Sequence, residues 1–536
     1  MNALKFPIFI ARRSPFIPMF ISGIAMGFTV APFEWWMFAW VALVPLWIGI
    51  SQSLRSRFQL FFLALIWGIG YNGVALFWIT GIHPMTWMGV PWLPSLAIAL
   101  FCWIFITLWG AALVGVWGFL LGWIQHRLRS AQFKSLTPLI RVIIGTALWC
   151  LLEAIWSSSP LWWPALAYTQ SPHNLAILQL GKLSGPNTVT AAIVAVNGLF
   201  AQAGISVFDR RLEKPNYPIF SRYLTSAILL FFTLHLCGFY LYSRPFERLP
   251  NTTLKVGIIQ GNIPNEIKLY PGGIEKALEG YVRGYESLAD TGVEVILTPE
   301  TALPVLWTKA NLLDRKTAVG HFYQAILDRG VPIWVGTFGL SNRDFTNSLV
   351  SVNNRGETVS RYDKIKLVPL GEYIPFERIL GKFIDRLSPL DARLIPGKPN
   401  QIFETPFGRA IIGICYESAF SEHFRRQAAA GGEFLLSASN NAHYAESMPA
   451  QHHAQDVMRA IETDRWAVRA TNTGYSAIVD PHGRTIWKSG IKTYETHADT
   501  INRRQTRTLY VRWGDWLTPL LLALAAIGFF GSHYWH

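Results

Sequence analysis

Residues 1–245 are built almost wholly of apolar segments long enough to reach across a lipid bilayer. In hydrocarbon a helix satisfies its own backbone, and it needs about 20 apolar residues to span. This feature excludes a chain that is globular throughout. Eight segments fit, at approximately 15–32, 34–51, 58–81, 91–124, 139–156, 187–207, 223–243 and 516–532. The stretch 157–186 is apolar but broken by Pro and Ser, so it reads as packing at the membrane surface or re-entering. Only 15% of the 536 residues are charged, against about 25% in an ordinary soluble domain.

Charge gives the spans a direction. Lys5, Arg12 and Arg13 precede the first span, and Arg55 and Arg57 follow the second. Arg127, Arg129, Lys134 and Arg141 lie between the fourth and fifth, and Arg210, Arg211, Lys214 and Arg222 between the sixth and seventh. The loop "GIHPMTWMGVPW" has no Lys or Arg. Cationic loops stay on the cytoplasmic side, which predicts both termini in the cytoplasm and the region between spans seven and eight outside. The net charge of +14 therefore reads as topology and not as nucleic-acid binding. Trp35, Trp36, Trp87 and Trp92 fit an interfacial aromatic belt. Trp162 and Trp163 are candidates to shape a lipid-facing mouth.

Between 251 and 512 the pattern changes to strands alternating with helices. Strands are expected at 254–263, 293–300, 331–338, 408–417 and 433–440, and helices at 274–292, 311–330 and 449–468. Hairpins are expected at 347–364, turning at Asn354-Arg355-Gly356, and at 475–490. This is an α/β domain with a mixed sheet covered by helices. The division is 1–245 membrane region, 246–512 soluble domain, 513–536 C-terminal apolar helix.

Three strand ends carry reactive groups. Glu300 ends "VILTPE", Lys364 lies in "RYDKIKLVPLGEY", and Cys415 ends "IIGIC". Of the four cysteines, Cys102, Cys150 and Cys237 lie in spans and read as packing residues; no CxxC supports a disulfide framework or zinc site. A thiolate is a good nucleophile, a carboxylate can take its proton, and an ammonium can stabilise an oxyanion. Together they suit acyl transfer through a thioester. There is no GxSxG, P-loop or HExxH.

The motifs "QGNIP" (260–264), "TPETALP" (298–304), "RYDKIKLVPLGEYIP" (361–375), "GICYE" (413–417), "SNNAHY" (439–444) and "RATNTG" (469–474) resemble the carbon–nitrogen hydrolase (nitrilase) superfamily. With the apolar spans, the chain resembles the bacterial apolipoprotein N-acyltransferase family. The resemblance implies a transmembrane bundle of about eight spans carrying an inserted αββα sandwich. It implies Glu300 as general base, Lys364 as oxyanion stabiliser and Cys415 as acylated nucleophile, with Lys366 the local rival to Lys364. Glu372 matches a second family glutamate, and Tyr416 and Glu417 match residues flanking the nucleophile, Glu417 ordering the polar network. The implied acyl donor is a phospholipid and the implied acceptor the α-amine of a diacylglyceryl-cysteine on a lipoprotein, in the bacterial inner membrane, with no cofactor and a monomeric enzyme. The rival reading is a membrane-tethered nitrilase-type amidohydrolase.

The chain departs from the family pattern at Leu269, where tryptophan is usual, and at Asn441 and His443, where an acid and a tryptophan are usual. A metal at His443, His452 and His453 is disfavoured, because adjacent helical residues face apart. Arg459 and Arg465 are expected in surface or interdomain ion pairs. The regions 303–312 and 373–400, with Phe376, Ile379, Leu380 and Phe383, are lid candidates.

Overall fold

The computed structural model describes residues 15–52, 56–128, 137–208, 214–246, 250–374 and 394–534. Contacts divide the chain into two units: Met1–Thr80, Ile98–Arg244 and Trp513–His536 form one, and Gly81–Ala97 and Pro245–Arg512 the other. The lid candidates Phe376, Ile379, Leu380 and Phe383 lie outside the described residues, as do Lys5, Arg12, Arg13, Arg55, Arg129, Lys134, Arg210 and Arg211.

The first unit is helical. Among the described residues, five helices are long and apolar enough to cross a membrane: Arg57–Ala75, Trp92–Arg127, Pro138–Ser157, Pro186–Phe208 and Tyr217–Tyr242. The expected count of eight is not confirmed among the described residues. The other three segments give the shorter apolar helices Phe16–Gly27, Trp36–Gln52 and Leu517–Gly531. In the first pair, Pro15 and Pro32 bracket one segment and a 3₁₀ turn at Trp36–Trp40 uses up the start of the next. Residues 157–186 form short turns of helix, and Trp162 and Trp163 are buried. Glu153 is buried in this unit, accepting hydrogen bonds from Trp149 Nε1 (3.1 Å), the Leu166 amide (2.8 Å) and Thr190 Oγ1 (2.8 Å).

The second unit is a sandwich of two sheets between helices. The strands are β1 (Thr253–Gln260), β2 (Val295–Leu297), β3 (Leu303–Leu306), β4 (Ile333–Ser341), β5 (Asp344–Val352), β6 (Thr358–Asp363), β7 (Phe403–Thr405), β8 (Gly408–Ile414), β9 (Phe434–Ser439), β10 (Ala467–Thr471), β11 (Ala477–Val479), β12 (Thr485–Lys488) and β13 (Glu495–Asn502). One sheet runs β13-β1-β2-β4-β5-β6 with β3 on β4; the other runs β12-β11-β10-β9-β8-β7. β1, β2 and β4 are parallel, as are β8, β9 and β10, so strand ends that carry side chains recur on one edge of each sheet.

Alternation explains the layers, since successive side chains of a strand face opposite ways. Val256, Ile258, Val295, Leu297, Trp334, Ile412, Ile414, Leu436 and Val468 meet between the sheets. The intervening Ile259, Ile296, Ile333 and Val335 pack instead on the helices Pro271–Asp290 and Ala318–Arg329. The helices Ser421–Ala429 and Ser447–Thr463 accompany the other sheet. The first hairpin turns at Gly356, whose φ of 76° is left-handed and suits glycine. The expected helix at 311–330 is broken at Asp314, and the one at 449–468 stops at Thr463, where Asp464 is left-handed and β10 follows.

Candidate active site

Cys415 begins a tight turn at the end of β8. Its φ of 51° is a left-handed conformation that a residue with a Cβ adopts only when held there. Two contacts hold it. The Ile414 amide donates to Glu417 Oε2 at 2.8 Å, and His452 Nε2 donates to the Cys415 carbonyl at 2.8 Å. A carbonyl only accepts, so His452 carries its proton on Nε2, and Asn441 Nδ2 donates to Nδ1 at 3.1 Å. Burial brings the His452 pKa down to about 3, so the ring is a neutral strut. The Cys415 Sγ faces the Asn440 carbonyl at 3.9 Å.

Glu300 follows β2 through "TPE", and Lys364 follows β6. Both are buried. Lys364 Nζ lies 2.9 Å from Glu300 Oε1 and 2.9 Å from Glu372 Oε2. Asn347 Nδ2 donates to the same two glutamates, at 2.7 and 3.0 Å. Glu300 Oε2 accepts from the Asn440 amide at 2.8 Å. Asn440 thus touches Glu300 through its N–H and Cys415 through its carbonyl. Glu372 is anchored through the Val368 amide, 2.7 Å away.

The electrostatics follow from burial and sign. Burial disfavours the Lys364 charge, but Glu300 and Glu372 overcome it and hold the ammonium well above its ordinary range. Burial likewise opposes ionised Glu300, and Lys364, Lys268 and Asn347 hold its carboxyl below the usual value. The Cys415 thiol is pushed up to about 12, first by burial and then by Glu300, against the pull of Lys364. The resting site is therefore a neutral thiol facing an ionised acid and an ammonium.

Glu417 is fully buried and ties two loops together. Besides Ile414 it accepts from Tyr362 Oη at 2.9 Å, the Ile365 amide at 2.7 Å and the Lys366 amide at 3.1 Å. It joins the turn of Cys415 to the loop of Lys364. The Lys366 ammonium stands apart, 4.7 Å over the Phe420 ring. Tyr416 packs edge-on against Phe420, centroids 5.2 Å apart.

Three residues near this cluster escaped the sequence reading. Asn347 carried no signal beyond its strand, and Asn440 lay in the "SNNAHY" motif, where only Asn441 and His443 were singled out. Lys268 lies four residues after "QGNIP", and its Nζ donates to the Glu300 main-chain oxygen at 3.0 Å. It is buried, which lowers its pKa to about 8 against the opposing pull of Glu300 and Cys415. Leu269 caps the same short helix, Asn265–Lys268.

His443 hydrogen-bonds Asn265 Nδ2 through its ring, Nε2 at 2.8 Å. Burial brings its pKa to about 4. Its ring faces Trp87, centroids 6.3 Å apart. By its contacts Trp87 belongs to the α/β unit. In the same segment, Gly81 lies so close to Ala445 that a Cβ would meet its amide nitrogen at 2.2 Å. Arg459 and Arg465, expected in surface or interdomain ion pairs, are buried in the α/β unit; Arg459 pairs with Glu462 at 3.1 Å. Among the described residues, no group of three His, Cys, Asp or Glu side chains could hold a metal ion.

The chain matches the family described as carbon-nitrogen hydrolase over residues 255–510 and that described as apolipoprotein N-acyltransferase N-terminal domain over 22–199. A protein of Nostoc sp. named apolipoprotein N-acyltransferase is 58% identical over 95% of this chain and 98% of its own length. Proteins of the same name from Synechocystis sp. and Thermosynechococcus vestitus are 48% and 41% identical, covering 94% and 98% of this chain and 98% and 97% of their own.

Proposed function

The chain belongs to the apolipoprotein N-acyltransferase family, and on that premise we propose which residues act and on which side of the membrane. It is a multi-pass membrane acyltransferase that N-acylates lipoproteins. In our reading Cys415 is the nucleophile, Glu300 its base and Lys364 the cation that meets the oxyanion. The observation that carries this is the ion-pair chain Glu300–Lys364–Glu372, with both contacts at 2.9 Å, joined to Cys415 through Asn440.

The proposed first half-reaction begins as Glu300 takes the thiol proton and Sγ attacks an acyl-ester carbonyl of a phospholipid. The carbonyl electron pair moves to oxygen, stabilised by the Lys364 ammonium. The ester C–O bond then breaks, Glu300 gives the proton to the departing glycerol oxygen, and lysophospholipid leaves a thioester on Cys415. In the second half, the free α-amine of a diacylglyceryl-cysteine attacks that thioester. Glu300 takes a proton from the amine and returns it to sulfur. Glu372 fixes Lys364, and Glu417 fixes the turn of Cys415.

We place 246–512 outside the cytoplasmic membrane as the catalytic domain, with 1–245 and 513–536 as its membrane parts and both termini inside. The alternation of Lys- and Arg-rich loops supports this. A monomer suffices, because every proposed group lies on one chain. Water in place of the amine would make an amidohydrolase, but transferases matching nearly the whole chain favour the amine.

Full-length protein in detergent, mixed with phospholipid and a diacylglyceryl peptide, tests the reading. It requires N-acylated peptide and lysophospholipid in equal amounts. Free fatty acid as the main product would replace it with hydrolysis.

A further inference from the structure

We propose that Lys268 is a positioning residue of the catalytic centre, a second buried cation that fixes the Glu300 turn and balances the charge of Glu372. The inference rests on the assignment of Glu300, Lys364 and Cys415 above.

Lys268 Nζ donates to the Glu300 main-chain oxygen at 3.0 Å. The next residue, Thr301, is left-handed at φ 46°. A main chain turned this way after "TPE" needs an outside tie to stay in place. Gly336 closes the other side of the turn; a Cβ there would meet the Pro299 oxygen at 1.9 Å. Lys268 is the tie on the open side, and only 3% of it is exposed.

Cys415 is faced by Glu300, by Lys364 and Glu372, by Tyr444, by His452, and by Lys268, and His443 stands by Lys268, Glu300 and Lys364. Both histidines are neutral. When Sγ has bonded to the ester carbon and its proton sits on Glu300, two negative charges remain, on the oxyanion and on Glu372. Lys364 alone offsets one of them. Lys268 offsets the other, so the tetrahedral state is neutral as a whole. Without it that state carries a net negative charge in a buried site, where like charges are poorly screened. The short helix Asn265–Lys268 also holds Asn265, the partner of His443, so one element supports both the acid and the aromatic wall.

The test uses full-length protein in detergent with Lys268→Met and Lys268→Gln; Gln keeps a donor for the Glu300 carbonyl but no charge. Two rates are followed by mass at pH 7, where Lys268 is charged: alkylation of Cys415 by iodoacetamide, and thioester formation from phospholipid. Both variants should slow alkylation at that pH about ten-fold or more and slow thioester formation about ten-fold or more. Lys268→Arg should recover part of both. An unchanged alkylation rate at pH 7 in Lys268→Gln overturns the proposal, even if acylation slows, because a loss of packing alone would give that result. Cys415→Ala separates the premise: if it still transfers acyl chains, the catalytic assignment itself falls. If it is inactive while both Lys268 variants match the parent, only the role of Lys268 falls.

Discussion

Lys364 Nζ lies 2.9 Å from Glu300 Oε1, with 1% of the lysine side chain and 7% of the glutamate exposed. A pair this dry has lost the hydration of both charges, so its members depend on each other. Glu372 completes the arrangement, 2.9 Å from the same ammonium. Lys364→Met would leave two carboxylates buried around a methyl group. The expected cost is about 3–5 kcal/mol of stability, read by denaturant unfolding in micelles, together with loss of acyl transfer. A cost below about 1 kcal/mol, the range of exposed pairs, would mean the pair is solvated in solution.

Glu372 raises the Cys415 thiol pKa, after burial, Glu300 and the opposing Lys364. Removing that negative charge lowers the thiol pKa, so more thiolate exists at any given pH below it. Glu372→Gln should therefore be alkylated at Cys415 faster than the parent at mildly alkaline pH, yet transfer acyl chains more slowly, because Lys364 loses its second anchor. Slower alkylation would reverse the sign and count against this picture.

Glu417 accepts from the Ile414, Ile365 and Lys366 amides and from Tyr362. Glu417→Ala leaves these donors buried without partners, at about 1–3 kcal/mol for each one unsatisfied. It also frees the left-handed turn of Cys415. We expect thermal unfolding well below the parent and thioester formation reduced by at least about a hundred-fold, comparable with loss of a general base. Glu417→Gln, which keeps the shape, should recover part of the stability.

Trp87 and His443 face each other at 6.3 Å within the α/β unit. Neither contacts the ion-pair chain directly, so Trp87→Ala should change the KM for lipid or acceptor more than kcat. A fall in kcat alone, with KM fixed, would place Trp87 in the chemistry instead.

Much of the soluble unit was legible because its strands are buried on both faces and read as apolar runs, as in "AIIGI" before Cys415. β13 was not, because "ETHADTIN" carries charge on an edge strand and is specified by its pairing with β1. β10 was hidden for another reason. The helical pattern runs on through Arg465 to Val468, and only the left-handed Asp464 ends the helix. The shortfall in long spans has a similar origin, since hydropathy does not register the proline and 3₁₀ interruptions near residues 32–40. In the site, Glu300, Lys364 and Cys415 stood out by their motifs. Lys268 did not, since one lysine on a short turn looks like solvent-facing charge until its burial is seen. Arg459 misled in the same way: charge suggested a surface or interdomain ion pair, and the fold buried it.

The central claim is that sulfur carries the acyl chain between two lipids, and intact-mass measurement addresses it most directly. The full-length protein is exposed to phospholipid without an acceptor and quenched in acid. The account predicts a mass increase of one acyl group, mapped to Cys415, released by hydroxylamine and absent from Cys415→Ala. Steady turnover to N-acylated peptide with no adduct ever trapped at Cys415, or an adduct on another residue, would contradict it.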